Sequence, residues 1–149
     1  MNRDSQEACL FSACLLGREC RWDGGECTRK TMVELHEKMG GVEACPEELG
    51  GLSTPRKAST LVGGSGEDVL EGRARVVASD GTDVTALFVA GAERTLALAR
   101  EAGVRRAYLK QSSPSCGCEE TSIEGRRAPG RGVAAALLAR SGIEVVDVP

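Results

Sequence analysis

Apolar and polar positions along this chain fall into two alternating patterns. "ACLFSACLL" (8–16) is a dense apolar run with the length of a strand buried on both faces. "VEACP" (42–46) is a shorter run of the same kind, stopped by proline, and "RRAYLKQ" (105–111) and "IEVVDV" (143–148) complete a set of four. Between them, apolar residues recur at helical spacing. In "TRKTMVELHEKMG" (28–40), Met32, Leu35 and Met39 share a face behind a candidate Thr28 cap, and glycines end the segment. In 83–103 the face is Val84, Leu87, Phe88, Gly91, Thr95 and Leu98, with Gly103 as the stop. A third helix, rich in small residues and leucines, is predicted over 130–142. Segment 66–85 carries short β-like pieces and an Asp80–Gly81 turn, which predicts a hairpin or ribbon. Segments 17–27 and 47–56 are punctuated by glycine and proline and read as loops. The stretch 112–130 reads as a long loop, the kind that usually carries function. Helices alternating with apolar strands predict an α/β fold. The expectation is a single Rossmann-like three-layer domain over residues 1–149, with a mostly parallel sheet of about four strands plus a small β-ribbon.

Composition narrows the function. A net charge of −3 argues against gripping nucleic acid by bulk electrostatics, and 3% aromatic residues leave few stacking platforms for single strands. A small nucleobase or nucleoside in a pocket stays compatible with both. No apolar run is long enough to span a bilayer, and the first twenty residues lack a signal-peptide pattern, so no membrane association and a cytoplasmic location are expected. Seven cysteines are many for such a chain, and an odd number does not suit a disulfide scaffold. In a reducing compartment they point to metal binding or thiol chemistry. The single histidine, His36, falls inside a predicted helix, so a Cys–His pair is poorly supplied.

Strand placement gives three of these thiols a common address. Cys14 falls near the carboxyl end of the first predicted strand, Cys45 ends the second, and Cys116 follows the third. Open parallel sheets bind ligands beyond the carboxyl ends of their strands. Three convergent thiolates without a local CxxC pair suit an iron–sulfur cluster better than a structural zinc, although thiolates bind either metal. Each cysteine also has a reading as a small buried hydrophobe. Cys9, deeper in the strand, is assigned to the core. Cys20 and Cys27 lie in a loop as structural or redox-sensitive thiols, and Cys118 is a fourth ligand or incidental.

The polar neighbours of these cysteines extend the site. "CPEE" (45–48) holds Glu47 behind a rigid proline, where a carboxylate can act as general base on water; a solvated loop glutamate is the alternative, and Glu48 competes for the role. Ser113 and Ser115 bracket Pro114 beside Cys116, either to orient a polar intermediate or to satisfy turn amides. Arg21, Asp23, Arg56 and Lys110 fall at the same rim, as substrate contacts or as salt-bridge partners within the loops. "GRGVAAALL" (130–138) opens a helix whose N-terminus can hold an anion, but it lacks the phosphate-loop residues.

Four separated blocks, "SACLLGRECRWDG" (12–24), "CPEELGGLSTPR" (45–56), "GTDVT" (81–85) and "LKQSSPSCG" (109–117), together with "GRGVAAALLARSGIEV", resemble the DUF523 family, which contains the thiouracil desulfurases. The resemblance covers almost the whole chain. It implies a 4Fe–4S cluster held by Cys14, Cys45 and Cys116, with the fourth iron open to take the substrate sulfur. It implies a non-redox reaction in which water replaces the thiocarbonyl sulfur of a thiolated pyrimidine, of the 2-thiouracil or 4-thiouridine class, and hydrogen sulfide leaves. It maps the base to Glu47 and the catalytic hydroxyl to Ser113, with Ser115 second; Arg21, Asp23, Ser115 and Lys110 are the expected substrate contacts. Trp22 stands where the family pattern has tyrosine, Ser53 where it has proline, and "SIEG" where it has "IYDG". The competing expectation is a non-catalytic module whose thiols bind zinc or sense oxidants.

Overall fold

The computed structural model describes residues 8–25 and 27–149. Four short strands, β1 (Cys9–Ser12), β2 (Gly41–Ala44), β5 (Arg106–Lys110) and β8 (Glu144–Val148), form a sheet in the order β2-β1-β5-β8, all parallel. The apolar run at 8–16 is only half strand. After Ser12 the chain tightens into a 3-10 helix, Ala13–Leu16, closed by Gly17 at φ 103°, a left-handed conformation that glycine adopts without steric cost. Cys14 therefore sits on a turn just beyond the strand.

Helices cover both faces of this sheet. On one, Phe11 stacks on Tyr108 at 5.4 Å and meets His36 of α1 (Lys30–Met39) edge-on. Arg29, rather than Thr28, occupies the N-cap of α1. On the other, Leu10, Ala107 and Leu109 pack against α4 (Thr85–Glu101) and α5 (Val133–Arg140). The buried face of α4 is Phe88, Gly91, Ala92, Thr95, Leu96 and Ala99, and Leu87 of the predicted face is exposed.

The segment of the predicted ribbon contributes one strand to a second four-stranded sheet. Strands β3 (Ser59–Val62), β4 (Arg75–Ala78), β6 (Glu120–Ile123) and β7 (Arg126–Pro129) lie in the order β4-β3-β6-β7. Only β3 and β6 are parallel. Asp80–Gly81 sits in the predicted turn, with the Ala78 amide bonded to the Thr82 carbonyl and Val77 bridged antiparallel to Asp83 across it, while the other edge of β4 pairs with β3. Between β3 and β4 lies α3 (Gly66–Leu70), fixed by a reciprocal capping box of Ser65 and Asp68. The long 112–130 segment folds half of itself into the β6–β7 hairpin, whose tip places Glu124 and Gly125 at positive φ. A second core fills the space under this sheet: Leu61, Val69 and Val76 pack with Phe88 and Ala92 of α4 and Val133 and Ala134 of α5. Helices α4 and α5 thus enter both cores.

A four-residue helix, α2 (Pro46–Leu49), replaces the start of the predicted 47–56 loop; Pro46 sits in its first turn, where a missing N–H costs nothing. It crosses α4 at backbone contact. A Cβ on Gly91 would lie 1.9 Å from the Pro46 carbonyl oxygen, and one on Gly50 would lie 2.0 Å from that of Leu87. Gly91→Ala is expected to force the two helices apart and destabilise the chain by about 3 kcal/mol, the upper range for overpacking. Urea denaturation measures this; a loss below about 0.5 kcal/mol would contradict the crossing.

Candidate active site

The carboxyl ends of β1, β2 and β5 open onto a cavity of about 370 Å³, bounded opposite by Ser59, Ser122 and Arg127 of the second sheet. Cys14, Cys45 and Cys116 all line it. So do Glu47, Ser113, Arg21, Ser115 and Lys110. Asp23 does not: it is exposed, accepts the Gly25 amide at 2.9 Å and lies 3.8 Å from Arg21, so it shapes the loop.

Each thiol is carried by a different local device. Cys45 caps α2 in extended conformation, and its Sγ lies 3.6 Å from the Cys20 carbonyl oxygen. Cys116 is held by the turn after β5. Ser112, at φ 65°, bends the chain back there, a conformation uncommon for a residue with a Cβ and concentrated at functional sites. Ser113 Oγ then accepts the amides of Ser115 and Cys116, both at 3.1 Å. Helix α5 locks the turn in place, with Val133 and Ala135 donating their amides to the Pro114 and Ser115 carbonyls. These helix N-terminal donors are engaged by the protein itself, which removes the anion-site reading of "GRGVAAALL".

One carboxylate is clamped in the wall. Arg56 Nε donates to Glu47 Oε1 at 2.9 Å, and Ser115 Oγ donates to Oε2 at 3.0 Å. The side chains of Arg56 and Glu47 are only 7% and 13% exposed, so the pair is little screened by solvent. Ser115 gives its proton to Glu47, so it accepts from Ser113 Oγ at 2.9 Å. A directed chain of hydroxyls results, Ser113 to Ser115 to Glu47. The hydroxyl touching the carboxylate is that of Ser115, and Ser113 is one step removed. Arg56 also donates to the carbonyls of Ser53 and Cys20 and to Thr54 Oγ1, tying the 17–27 loop to the 45–56 loop.

Three thiols of the wall, Cys20, Cys45 and Cys116, hold their protons firmly. Cys20 is pushed up to about 12, first by its hydrogen bond with Cys14. Cys45 is raised well above the ordinary thiol range, first by its hydrogen bond with Cys20. Burial pushes Cys116 up to about 12. Protons bound this firmly are displaced only by a strong competitor such as a metal.

One thiol of the site carries little sequence signal. Cys20, 2% exposed, lines the cavity beside Cys14 and Cys45, so the fourth thiol of the wall is Cys20. Its six-residue offset from Cys14 matches no local ligand pair, and only the return of the 17–27 loop brings it in. Cys118, by contrast, is not among the lining residues; it packs against the core beneath α4 and α5, with its amide bonded to Asp147. Cys9 and Cys27 are buried, as core thiols.

A thiol-walled cavity at the strand ends of a parallel sheet, with a clamped carboxylate on its rim, defines the class: an α/β enzyme built around soft metal ligands. Residues 9–148 match the 2-thiouracil desulfurase family, and the chain belongs to that family. It is 44% identical over 141 residues to the uncharacterized protein YbbK of Bacillus subtilis (strain 168), covering 93% of each chain. Among solved structures it resembles the [4Fe-4S]-dependent thiouracil desulfidase TudS (DUF523Vcz), with 38% identity and a TM-score of 0.80 over 95% of this chain and 90% of that one. The protein is a thiouracil desulfurase-like enzyme. No helix among the described residues is long and apolar enough to cross a membrane.

Proposed function

We propose that residues 1–149 act as one desulfurase domain that replaces the thiocarbonyl sulfur of a thiolated pyrimidine by oxygen, working on a free base or nucleoside. The observation that carries this reading is the meeting of Cys14, Cys45 and Cys116 with the clamped Glu47 in one cavity. The three thiols come from three strand ends and offer a soft donor set, which fits a 4Fe–4S cluster with one iron free of protein ligands. When bound, such a cluster supplies a Lewis acid for the substrate sulfur.

The chain's own groups supply the rest. Glu47 Oε1 is engaged by Arg56 and Oε2 by Ser115, so the carboxylate is fixed in orientation and retains lone pairs for a water. It takes a proton from that water as the oxygen attacks the thiocarbonyl carbon. The C–S bond breaks, a C=O bond replaces it, and the water's two protons leave with the sulfur as hydrogen sulfide. Ser113 and Ser115 relay hydrogen bonding toward Glu47 and steady its charge. Arg21 and Lys110 present N–H donors to the carbonyl oxygen of the base. All seven cysteines are thiols, which suits a reducing, cytoplasmic setting.

Anaerobic reconstitution with iron and sulfide, followed by a sulfide-release assay on 2-thiouracil and 4-thiouridine, tests the proposal. About four irons per chain and stoichiometric hydrogen sulfide are expected. Zinc without iron, and no sulfide from any thiolated pyrimidine, would replace it with the non-catalytic metal module.

A further inference from the structure

The cluster ligands proposed above leave Cys20 without a role, yet it is among the most buried thiols of the wall. Its sulfur, that of Cys45 and a carboxylate oxygen of Glu48 lie within 4.8 Å of one another. We propose that the cluster-free chain binds a single soft divalent ion, of which zinc is the type, through Cys20, Cys45 and Glu48.

The spacing decides between one metal ion and a cluster. Donors around one tetrahedral zinc, with bonds of ~2.0–2.3 Å, stand about 3.3–3.8 Å apart. A closing of at most about 1.5 Å brings the three atoms to that separation. Thiolates on different irons of one cube are separated by two metal–sulfur bonds and an iron–iron edge, a wider span. The group is therefore sized for one ion.

Its chemistry agrees. Two thiolates and one carboxylate form a soft, anionic donor set, and the fourth position is open to water or to Cys14, whose thiol is hydrogen bonded to that of Cys20. Glu48 is already oriented from behind, with Oε1 bonded to Arg18 Nη2 at 3.0 Å and Oε2 accepting from Thr54. Metal-ligating carboxylates are held in this way by outer hydrogen bonds. The guanidinium of Arg56, paired with Glu47, also holds the Cys20 carbonyl at 2.9 Å, and Arg18 beside Glu48 offsets the excess negative charge of the loaded site.

Cys45 belongs to both donor sets, so zinc and cluster exclude each other; this exclusion, unlike the zinc site itself, rests on the ligand assignment above. The chain then has two metal states, and zinc holds Cys20 and Cys45 as thiolates safe from oxidation until the cluster is built.

The test uses anaerobically purified, cluster-free full-length protein and the metal alone. Cobalt(II) is expected to give tetrahedral ligand-field bands with thiolate charge transfer at one equivalent, and zinc to displace it. Cys20→Ser should weaken zinc binding at least a hundredfold, since loss of an outer partner alone costs ~10–100-fold. It should still take up the cluster, measured as iron content. Glu48→Gln should weaken zinc by about tenfold and serves as the second variant if Cys20→Ser misfolds by circular dichroism. Wild-type protein preloaded with zinc should resist cluster reconstitution. Wild-type zinc affinity in both variants, or octahedral cobalt spectra, would overturn the site. Loss of the cluster in Cys20→Ser would make Cys20 a cluster ligand and overturn the division of roles. A wild-type chain that binds zinc but never a cluster would fail the desulfurase reading and leave the zinc site standing.

Discussion

Cys45→Ser is expected to abolish cluster binding and hydrogen sulfide release together. Serine is nearly isosteric, so the cap of α2 and the neighbouring cavity wall keep their shape. A hydroxyl is a hard, weakly acidic donor that does not replace a thiolate on iron. Cys14 and Cys116 would then be the only proposed ligands left. Iron content after anaerobic reconstitution should fall from about four per chain to near zero, and the brown absorption with it. Folding stability should change by no more than about 1 kcal/mol, because the side chain is only partly buried and sits at the edge of a small cluster formed by Ala13, Cys14, Leu15, Cys20, Cys27 and Val148. A variant that retains the cluster and full activity would remove Cys45 from the ligand set and, with it, the exclusion between zinc and cluster.

Glu47→Gln should separate binding from turnover. The amide keeps the shape of the side chain, and Arg56 retains its bonds to Ser53, Thr54 and Cys20. The cluster should therefore load normally. Without the carboxylate no group on this rim takes the proton from water, and the rate of sulfide release should fall by about 10³-fold, within the range for loss of a general base. Glutamine also removes the charge facing a guanidinium that is 7% exposed, at a cost of about 2 kcal/mol in denaturant. Glu47→Asp keeps the charge and should recover part of the rate. A Gln variant with wild-type turnover would move the base elsewhere, with Glu48 the first candidate on the same helix.

The strands of the parallel sheet and three of the helices were readable because each carries its own period. Leu10, Ala107 and Leu109 mark buried strands, and Phe88, Gly91 and Thr95 mark a helix face, without knowledge of any partner. The second sheet was harder to read because its central pairing, Leu61 with Ile123, joins distant segments and is fixed by tertiary packing. Helix α3 did carry a local signal, serine three residues before aspartate, but at five residues it has too few positions to show a period. In the site, rigid strand ends placed the three thiols. Cys20, Arg56 and the direction of the Ser113–Ser115–Glu47 chain depend on how loops return, and that is set by a single guanidinium bonded to four partners.

The sharing of α4 and α5 between the two cores has a mechanical consequence. The walls of the cavity belong to two sheets, and sheets with independent cores can swing like the halves of a clam. Here the same two rods run through both halves, so rotation of one sheet against the other must strip that sheet from the shared helices, from Leu96, Ala99 and Leu138 in the first core or from Phe88 and Ala92 in the second. Opening by that route is stiff. The separation of the two cavity walls is therefore set by the folded cores before any ligand arrives.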